Sequence, residues 1–592
     1  MPVISRTRFA LKALQELGLK QTINYARYQL GLRSGYYKHA TDRAIREAQS
    51  KPSTFKLYSS FAIPDPKTLF NSLGSEGVTN LLVEADEITS GKVRLFAGPP
   101  IPLNLNPVGT LAHWTEYESG KIDSSNEDIK WVWEPARFGW VFSLGRAYVL
   151  SSMEKYVQSF WKYFEFFQSA NPPNTGPHWV SAQEVALRLM AFVFAANVFS
   201  DSPSSTQTRK TKLAKAIAMH AARIPPTITY AQAQNNNHLL SEAAGLFTAG
   251  VTLRDHPQAP KWSKLGLHWF NIGIQTQIAH DGTYVQHSTN YHRLMLQLAL
   301  WVRNLSNFDV NTSAQTSDIN NHSILQKSSL LRLADATQWL VALLDPETGR
   351  VPNLGPNDGA YIFPFSICQS NDYRPVLQSA CLAFHGENVF HSGPWDEMAL
   401  WYGLADTNDE QRKSTPGALT LKKSTRPTIT SPNILRKEKS WAYLRVAEFD
   451  SRPGHADQLH IDLWWRGINI TQDAGTYLYN APPPWNNSLT RTAVHNTITI
   501  DGADQMTYAG RFLWLDRAQA TILDYDECTD GSYDRLVAQH DGYRHINLTH
   551  RRTIEHLNEK WIIKDNILPI NSRSKKAQSL QQSGSVHKFD LH

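Results

Sequence analysis

Three short stretches of this 592-residue chain gather side chains able to move a proton, bind an anion or hold a metal ion. The first is Gln234-Asn235-Asn236-Asn237-His238, directly before the apolar run HLLSEAAGLF. An Asn at a helix start ordinarily caps the helix, and capping accounts for one of the three. Amide groups and free N–H donors at a helix N-terminus also make a receptor for a carboxylate, so Asn236, Asn237 and His238 are candidate binding groups. The second stretch, DGTYVQHSTNYHR from Asp281 to Arg293, reads as a turn entering a helix. Tyr291, His292 and Arg293 in its first turn put proton-transfer groups at a helix end, whereas Tyr284 reads as packing.

The third stretch is RPGHADQLHIDLWWRGINITQDAGTY, followed by RTAVHN at Arg491–Asn496. His455, Asp457, His460, Asp462, Asp473 and His495 offer nitrogen and oxygen ligands, and imidazole combined with carboxylate favours zinc among divalent ions. Strand alternation would pair His455 with Asp457 and His460 with Asp462. Scattered His and Asp on strands are more often hydrogen-bonded structure than ligands, so spacing by itself is weak evidence here.

These stretches need scaffolds, and two kinds are legible. From Trp179 to about Leu344 apolar residues recur at helical spacing, as in VSAQEVALRLMAFVFAANVF, KLGLHWFNIGIQTQIAH and LLRLADATQWLVALL, with short polar connections that suit antiparallel helix hairpins. Asn311–Ser323 reads as a surface loop, and RPVLQSACLAF and WDEMALWYGL continue the helices. Around Gly417–Ser431 the chain turns polar and proline-bearing, and beyond it SWAYLRVAEF, HIDLWWRGINITQDAG, VHNTITIDG, LVAQHDGY, INLTHRRTIEHL and KWIIKDNI read as antiparallel strands joined by turns. The expected division is an N-terminal extension at 1–120, a helical domain at 121–415 and an antiparallel β-sandwich at 416–592. The C-terminal SRSKKAQSLQQSGSVHKFDLH ends in what reads as the opening of another strand, so the sheet domain is expected to be short or incomplete.

Charge narrows the partners. A net charge of +6 mildly favours an anionic ligand. No basic tract, phosphate loop, zinc-finger spacing or ribonucleoprotein signature points to nucleic acid. Cys368, Cys381 and Cys528 are too scattered for a disulfide framework and read as buried free thiols. The basic, amphipathic N-terminus lacks the continuous apolar core of a secretory leader, and no stretch reaches transmembrane length. A soluble protein is expected, cytoplasmic by default, with periplasmic placement or secretion by another route as the alternatives; the oligomeric state is not encoded legibly.

Together the three stretches, with KWVWEPARFGW at Lys130–Trp140, GPHWVSAQEVALRLM at Gly176–Met190 and PNLGPNDGA at Pro352–Ala360, resemble the heparinase II/III-like polysaccharide lyases, which include alginate and oligoalginate lyases. The resemblance implies a multidomain α+β chain: an (α/α) toroid followed by an antiparallel β-sandwich, with the cleft between them. It implies β-elimination at a uronic acid of an acidic polysaccharide or oligosaccharide, glycosaminoglycan-like or bacterial exopolysaccharide ahead of alginate. Asn237 and His238 then neutralise the uronate carboxylate so that the C5 proton can leave, and Tyr291 is the acid/base. Asn236, Arg137, His178, His292, Arg293 and His460 become substrate contacts, with Glu134 beside them, while Glu184 and Arg188 hold helices together.

In the sheet domain many relatives carry His-x-His-x-Asp, but this chain reads Pro453-Gly454-His455-Ala456-Asp457. The first His is absent. By resemblance His455, Asp473 and His495 are ligands of one structural zinc ion, and no organic cofactor is expected. His455 or His460 could replace the lost acid/base, or Tyr291 could act alone. Two other functions compete: a catalytically weak carbohydrate-binding or exopolysaccharide-assembly protein that keeps the cleft, and a glycoside hydrolase, which needs two positioned carboxylates. Glu134, Glu242 and Asp358 are the hydrolase candidates, without a paired motif.

Overall fold

The computed structural model describes residues 6–49, 56–107, 109, 111–122, 128–312, 325–404, 433–451, 453–478, 481–482, 484–510, 512–527, 533–570 and 588–592. The expected loop beyond Thr312, the expected boundary at Gly417–Ser431 and Cys528 lie outside the described residues.

Two helices are apolar over most of their circumference and must therefore be surrounded by protein. Ala182–Val198 and Asn237–Thr252 bury nearly every residue. They touch each other through Gly245, where a Cβ would lie 2.8 Å from the Ala186 Cβ. Ala259–Gln277, Thr289–Thr312 and Gln207–Arg223 pack around this inner pair. Within 1–120, the helices Leu19–Arg33, Tyr36–Gln49 and Pro66–Thr89 lie against Ile228–Gln234, Gln207–Arg223 and Val141–Ser151. They are outer members of the helical layer, and the short hairpin Lys92–Arg94 with Pro100–Pro102 follows them.

Strands begin at Ile434. One four-stranded antiparallel sheet runs Ile434–Arg436, Ser440–Leu444, Ile461–Trp465, Ile468–Asn469. The other is a meander of Ala520–Glu527, Tyr533–His540, Leu548–Leu557 and Lys560–Pro569. Leu444, Ile461, Leu536, Ala538 and Ile554 from the two sheets meet in one core, the arrangement of a sandwich. The C-terminal segment supplies the strand its sequence announced: Phe589–Leu591 pairs antiparallel with Ile498–Ile500.

The two layers are bolted together at the helical domain's 342–357 end. Trp441 Nε1 donates to Asp345 at 3.1 Å and Arg436 to the Ala342 and Leu344 carbonyls at 2.7 and 2.8 Å. Asn357 N–H donates to Thr476 Oγ1 at 3.0 Å. Gly475, at φ 67°, lets the sheet domain approach so closely that a Cβ there would stand 2.4 Å from the Asn353 amide nitrogen. This seam forms the site.

Candidate functional site

The Asn run builds a turn and then a receptor. Asn235 ends the preceding helix in the left-handed region at φ 47°, which Asn tolerates better than most residues. Asn236 caps the next helix, its Oδ1 accepting from the His238 N–H at 3.1 Å, while Gln277 Nε2 holds the Asn236 carbonyl at 3.1 Å. Tyr284, expected to pack, is buried and donates to Gln277 Oε1 at 3.0 Å. Asn236 is thus spent on the helix start. Asn237 and His238 follow in the first helical turn, and the Asn237 N–H donates to Gln286 Oε1 at 3.0 Å. His238 keeps partial exposure, yet burial lowers its pKa to about 4 despite Glu184, with Arg137 adding to the shift, so the imidazole is neutral near pH 7.

Tyr291 is positioned by a loop sewn to its helix. Ser288 Oγ accepts from the Tyr291 N–H at 3.2 Å and donates to the Pro356 carbonyl at 2.6 Å; Thr289 Oγ1 donates to the Pro352 carbonyl at 2.7 Å. Gly355, at φ 67°, lets that loop pass, because a Cβ would lie 2.7 Å from the His287 carbonyl. The loop thereby delivers Asp358, whose Oδ1 accepts from the Tyr291 phenol at 2.6 Å.

Next in the loop, the Gly359 carbonyl accepts from Arg137 at 2.9 Å. Arg137 grips both Glu184 oxygens, at 2.6 and 2.8 Å, and closes on Glu134. Burial pushes the Glu134 carboxyl up to about 7, with Arg137 opposing and Glu184 and Asp358 reinforcing. Glu184, expected only to hold helices, is therefore part of the charged floor. Arg188 does hold helices: it donates to His220 and to the Ala136 and His178 carbonyls.

A cavity of about 750 Å³ opens over this floor. The helical domain lines it with Phe96, Trp131, Glu134, Arg137 and Asp358, and the sheet domain with Gln472 and Tyr477. Arg293 also lines it, its guanidinium held between the Tyr361 and Tyr373 rings, 4.6 and 4.4 Å from their centroids. His292 and His178 are elsewhere, in the core. His292 stacks on Trp339 and meets the Ala336 carbonyl at 2.9 Å, and His178 packs on Phe167. Burial lowers their pKa values to about 4 and about 3. Apolar neighbours around a helix-start His distinguish such a core residue from a cleft residue, and sequence position alone does not reveal them.

The sheet-domain histidines form a second nest. His455, Asp473 and His495 are buried, each presenting a ligand atom within 4.8 Å of the others. Asp473 lies 3.2 Å from His495 Nδ1 and 3.9 Å from His455 Nδ1. Both ring nitrogens of His455 and of His495 lack a hydrogen bond, as does Asp473 Oδ2. Buried polar atoms left without partners are costly, so the donor set fits a divalent cation well. His460 stands beside it, Nε2 3.8 Å from Asp473 and 3.5 Å from Asp462. The expected His455–Asp457 pairing by strand parity does not apply. Residues 453–460 are irregular, with Leu459 at φ 58°, and Asp457 lies 3.5 Å from Arg445 instead. None of His455, His460, Asn237, His238 and Tyr291 is among the residues that line the cavity; Tyr291 meets it through Asp358, and His238 lies near Arg137.

Residues 108–321 match the family description "Heparinase II/III N-terminus", and residues 433–590 match "Heparinase II/III-like, C-terminal". The chain belongs to the heparinase II/III-like family. Its curated relatives include the heparin-sulfate lyase of Bacteroides thetaiotaomicron, 22% identical over 462 residues, which covers 76% of this chain and 60% of that protein. The heparin-sulfate lyase of Pedobacter heparinus is 21% identical over 460 residues, 73% of this chain and 59% of that one. The chain thus spans about three-fifths of the length of the curated relatives it matches. The crystal structure of heparinase III superimposes with a TM-score of 0.57 at 17% identity, covering 92% of this chain and 77% of that one. Within the heparinase II/III-like family the helices therefore form the toroid and the strands the sandwich.

Proposed function

We propose that the protein is a polysaccharide lyase that cleaves a uronate-containing acidic polysaccharide or oligosaccharide by β-elimination. The observation that carries this reading is the Tyr291 phenol held on the cavity-lining Asp358, with the helix start of Asn237 and His238 lying near the cavity-lining Arg137. The C5 proton of a uronate is weakly acidic, and hydrogen bonds to its carboxylate stabilise the enolate-like charge that develops as the proton leaves. Asn237 supplies a side-chain amide and His238 a neutral imidazole N–H for that purpose. With its own proton passed to Asp358, the Tyr291 phenolate takes the C5 proton, the C4–O bond breaks as the C4–C5 double bond forms, and the re-formed phenol gives that proton to the leaving oxygen. Arg137, clamped by Glu184 and Glu134, holds the cavity floor in shape and positions Gly359 beside Asp358. Heparin-sulfate lyase relatives favour a glycosaminoglycan-like substrate over alginate.

We further propose that His455, Asp473 and His495 hold one zinc ion. Bound there, the ion would supply structural cross-linking, joining the irregular 453–460 segment to the 473 and 495 loops. Tyr291, on the helical side, then carries the proton transfers, consistent with Pro453 standing where relatives carry His.

A panel of acidic polysaccharides followed by ultraviolet absorbance tests the reading. Elimination leaves a conjugated unsaturated uronate that absorbs. New reducing ends without absorbance would mean hydrolysis, and retention of polymer without cleavage would mean a binding protein. Of the hydrolase candidates, Glu242 is buried on the inner helix Asn237–Thr252 and Asp358 is engaged by Tyr291.

A further inference from the structure

The helix Leu19–Arg33 is built inside out. Its inward face presents Asn24 and Tyr28, the Tyr28 ring stacking on Tyr230 with centroids 4.3 Å apart. Its outward face presents Leu19, Ile23 and Leu30, which are 65%, 41% and 65% exposed. With the exposed Ala26 between them these positions fall on one stripe of the helix. Tyr25 and, just past the helix end, Tyr36 are exposed as well. Single exposed apolar residues are ordinary, but an aligned row on a helix already packed by its other face marks a contact surface.

Charge identifies the partner. No acid occurs from Leu17 to Thr41, while Lys20, Arg27, Arg33 and Lys38 do. Among the described residues Lys20, Arg27 and Arg33 are exposed and join no ion pair. Beside Leu30 a shallow hollow of about 560 Å³ is lined by Asn24, Arg27, Ser34, Tyr36 and Gln232, donors suited to a phosphate-bearing headgroup. A symmetric contact with a second copy would set this basic face against itself.

We propose that this face docks the protein on an anionic lipid bilayer, the apolar stripe entering the headgroup boundary and the cations meeting lipid phosphates. The attachment proposed is peripheral, by this face alone; no helix among the described residues is long and apolar enough to cross a membrane. It is independent of the lyase reading.

Co-sedimentation of the full chain with vesicles tests it, using phosphatidylcholine alone or mixed with phosphatidylglycerol. The protein should pellet with the mixed vesicles at low salt, remain free with phosphatidylcholine, and be released near about 0.5 M salt, where charges are screened within a few ångströms. The triple variants Leu19→Gln/Ile23→Gln/Leu30→Gln and Lys20→Gln/Arg27→Gln/Arg33→Gln should each lose at least roughly tenfold in partitioning, with unchanged circular dichroism. Failure to pellet with the anionic vesicles, or full pelleting of both variants, overturns the proposal. So does a concentration-dependent dimer in sedimentation velocity that only the Leu/Ile variant abolishes, which assigns the stripe to a second copy. Loss, in that variant, of retention on a soluble acidic polysaccharide with vesicle binding intact would assign it to carbohydrate.

Discussion

The Tyr291 phenol donates to Asp358 Oδ1 at 2.6 Å, across a loop tied down at Pro352 and Pro356. The proton that must move during elimination is thus already directed at a carboxylate, and the phenol oxygen is held in a fixed place. Tyr291→Phe keeps the ring but removes the oxygen. Turnover should fall by roughly two to four decades, the range of a positioned acid/base, while stability changes by about 1 kcal/mol for one lost hydrogen bond. Asp358→Asn, nearly isosteric, should lower kcat with little change in KM. Steady-state rates on a substrate that the native protein cleaves decide both; near-normal elimination by Tyr291→Phe would remove Tyr291 as the proton carrier.

Asn236 and Asn237 are neighbours with different work, and substitution should separate them. Asn236→Ala deletes the helix cap and should cost about 1 kcal/mol of stability, read as a lower thermal midpoint. Asn237→Ala deletes a side-chain amide at the receptor and should lower turnover by about two to three decades, the loss of an oxyanion-type donor, at nearly constant stability. Equal effects of the two on kcat would contradict the division.

Much of this was legible in the sequence because periodicity is a local signal. The inner helices Ala182–Val198 and Asn237–Thr252 and the Leu548–Leu557 strand lie where the apolar pattern puts them. Tertiary encounters were not legible. Nothing within TNYHR says that His292 turns into Trp339 while Tyr291 turns to Asp358, since both face choices satisfy a helix start. Asp358 appeared only as one of several acids, because its partner lies 67 positions away. Strand parity misled at His455, as parity holds only where the backbone is extended and 453–460 is not. The Ala520–Glu527 strand went unread because its Asp524, Asp526 and Glu527 interrupt the apolar alternation.

Glu242 gives a pH test away from the cleft. Burial pushes its carboxyl up to about 8, with Arg223 opposing. The folded protein therefore holds a proton there that the unfolded chain, with an ordinary carboxyl, releases near pH 4 to 5. Its contribution is fully present below that range and is lost as pH rises through about 8. Glu242→Gln cannot ionise, so its thermal midpoint relative to the native protein should improve between pH 5 and pH 9. A constant difference across that interval, measured by calorimetry, would show that Glu242 is ionised throughout.

Metal removal tests the sheet domain. His455, Asp473 and His495 bring five polar atoms without hydrogen bonds into one buried nest, the two nitrogens of each imidazole and Asp473 Oδ2. In a folded interior each such atom costs free energy unless something pairs with it, and a divalent ion would satisfy a ligand atom from each of the three at once. Binding that requires the folded geometry stabilises the fold by mass action. Elemental analysis of protein purified without chelator should therefore find about one equivalent of zinc. Chelation should lower the thermal midpoint, and added zinc should restore it. His495→Ala should lower metal content and the midpoint together and should make the midpoint insensitive to chelator. The helical domain's amide signals around Asn237 and Tyr291 should shift little, because their hydrogen bonds to Gln286 and Asp358 involve none of the three ligand residues. Protein free of metal, with a midpoint that chelator leaves unmoved, would mean that the nest is held by water and hydrogen bonds instead.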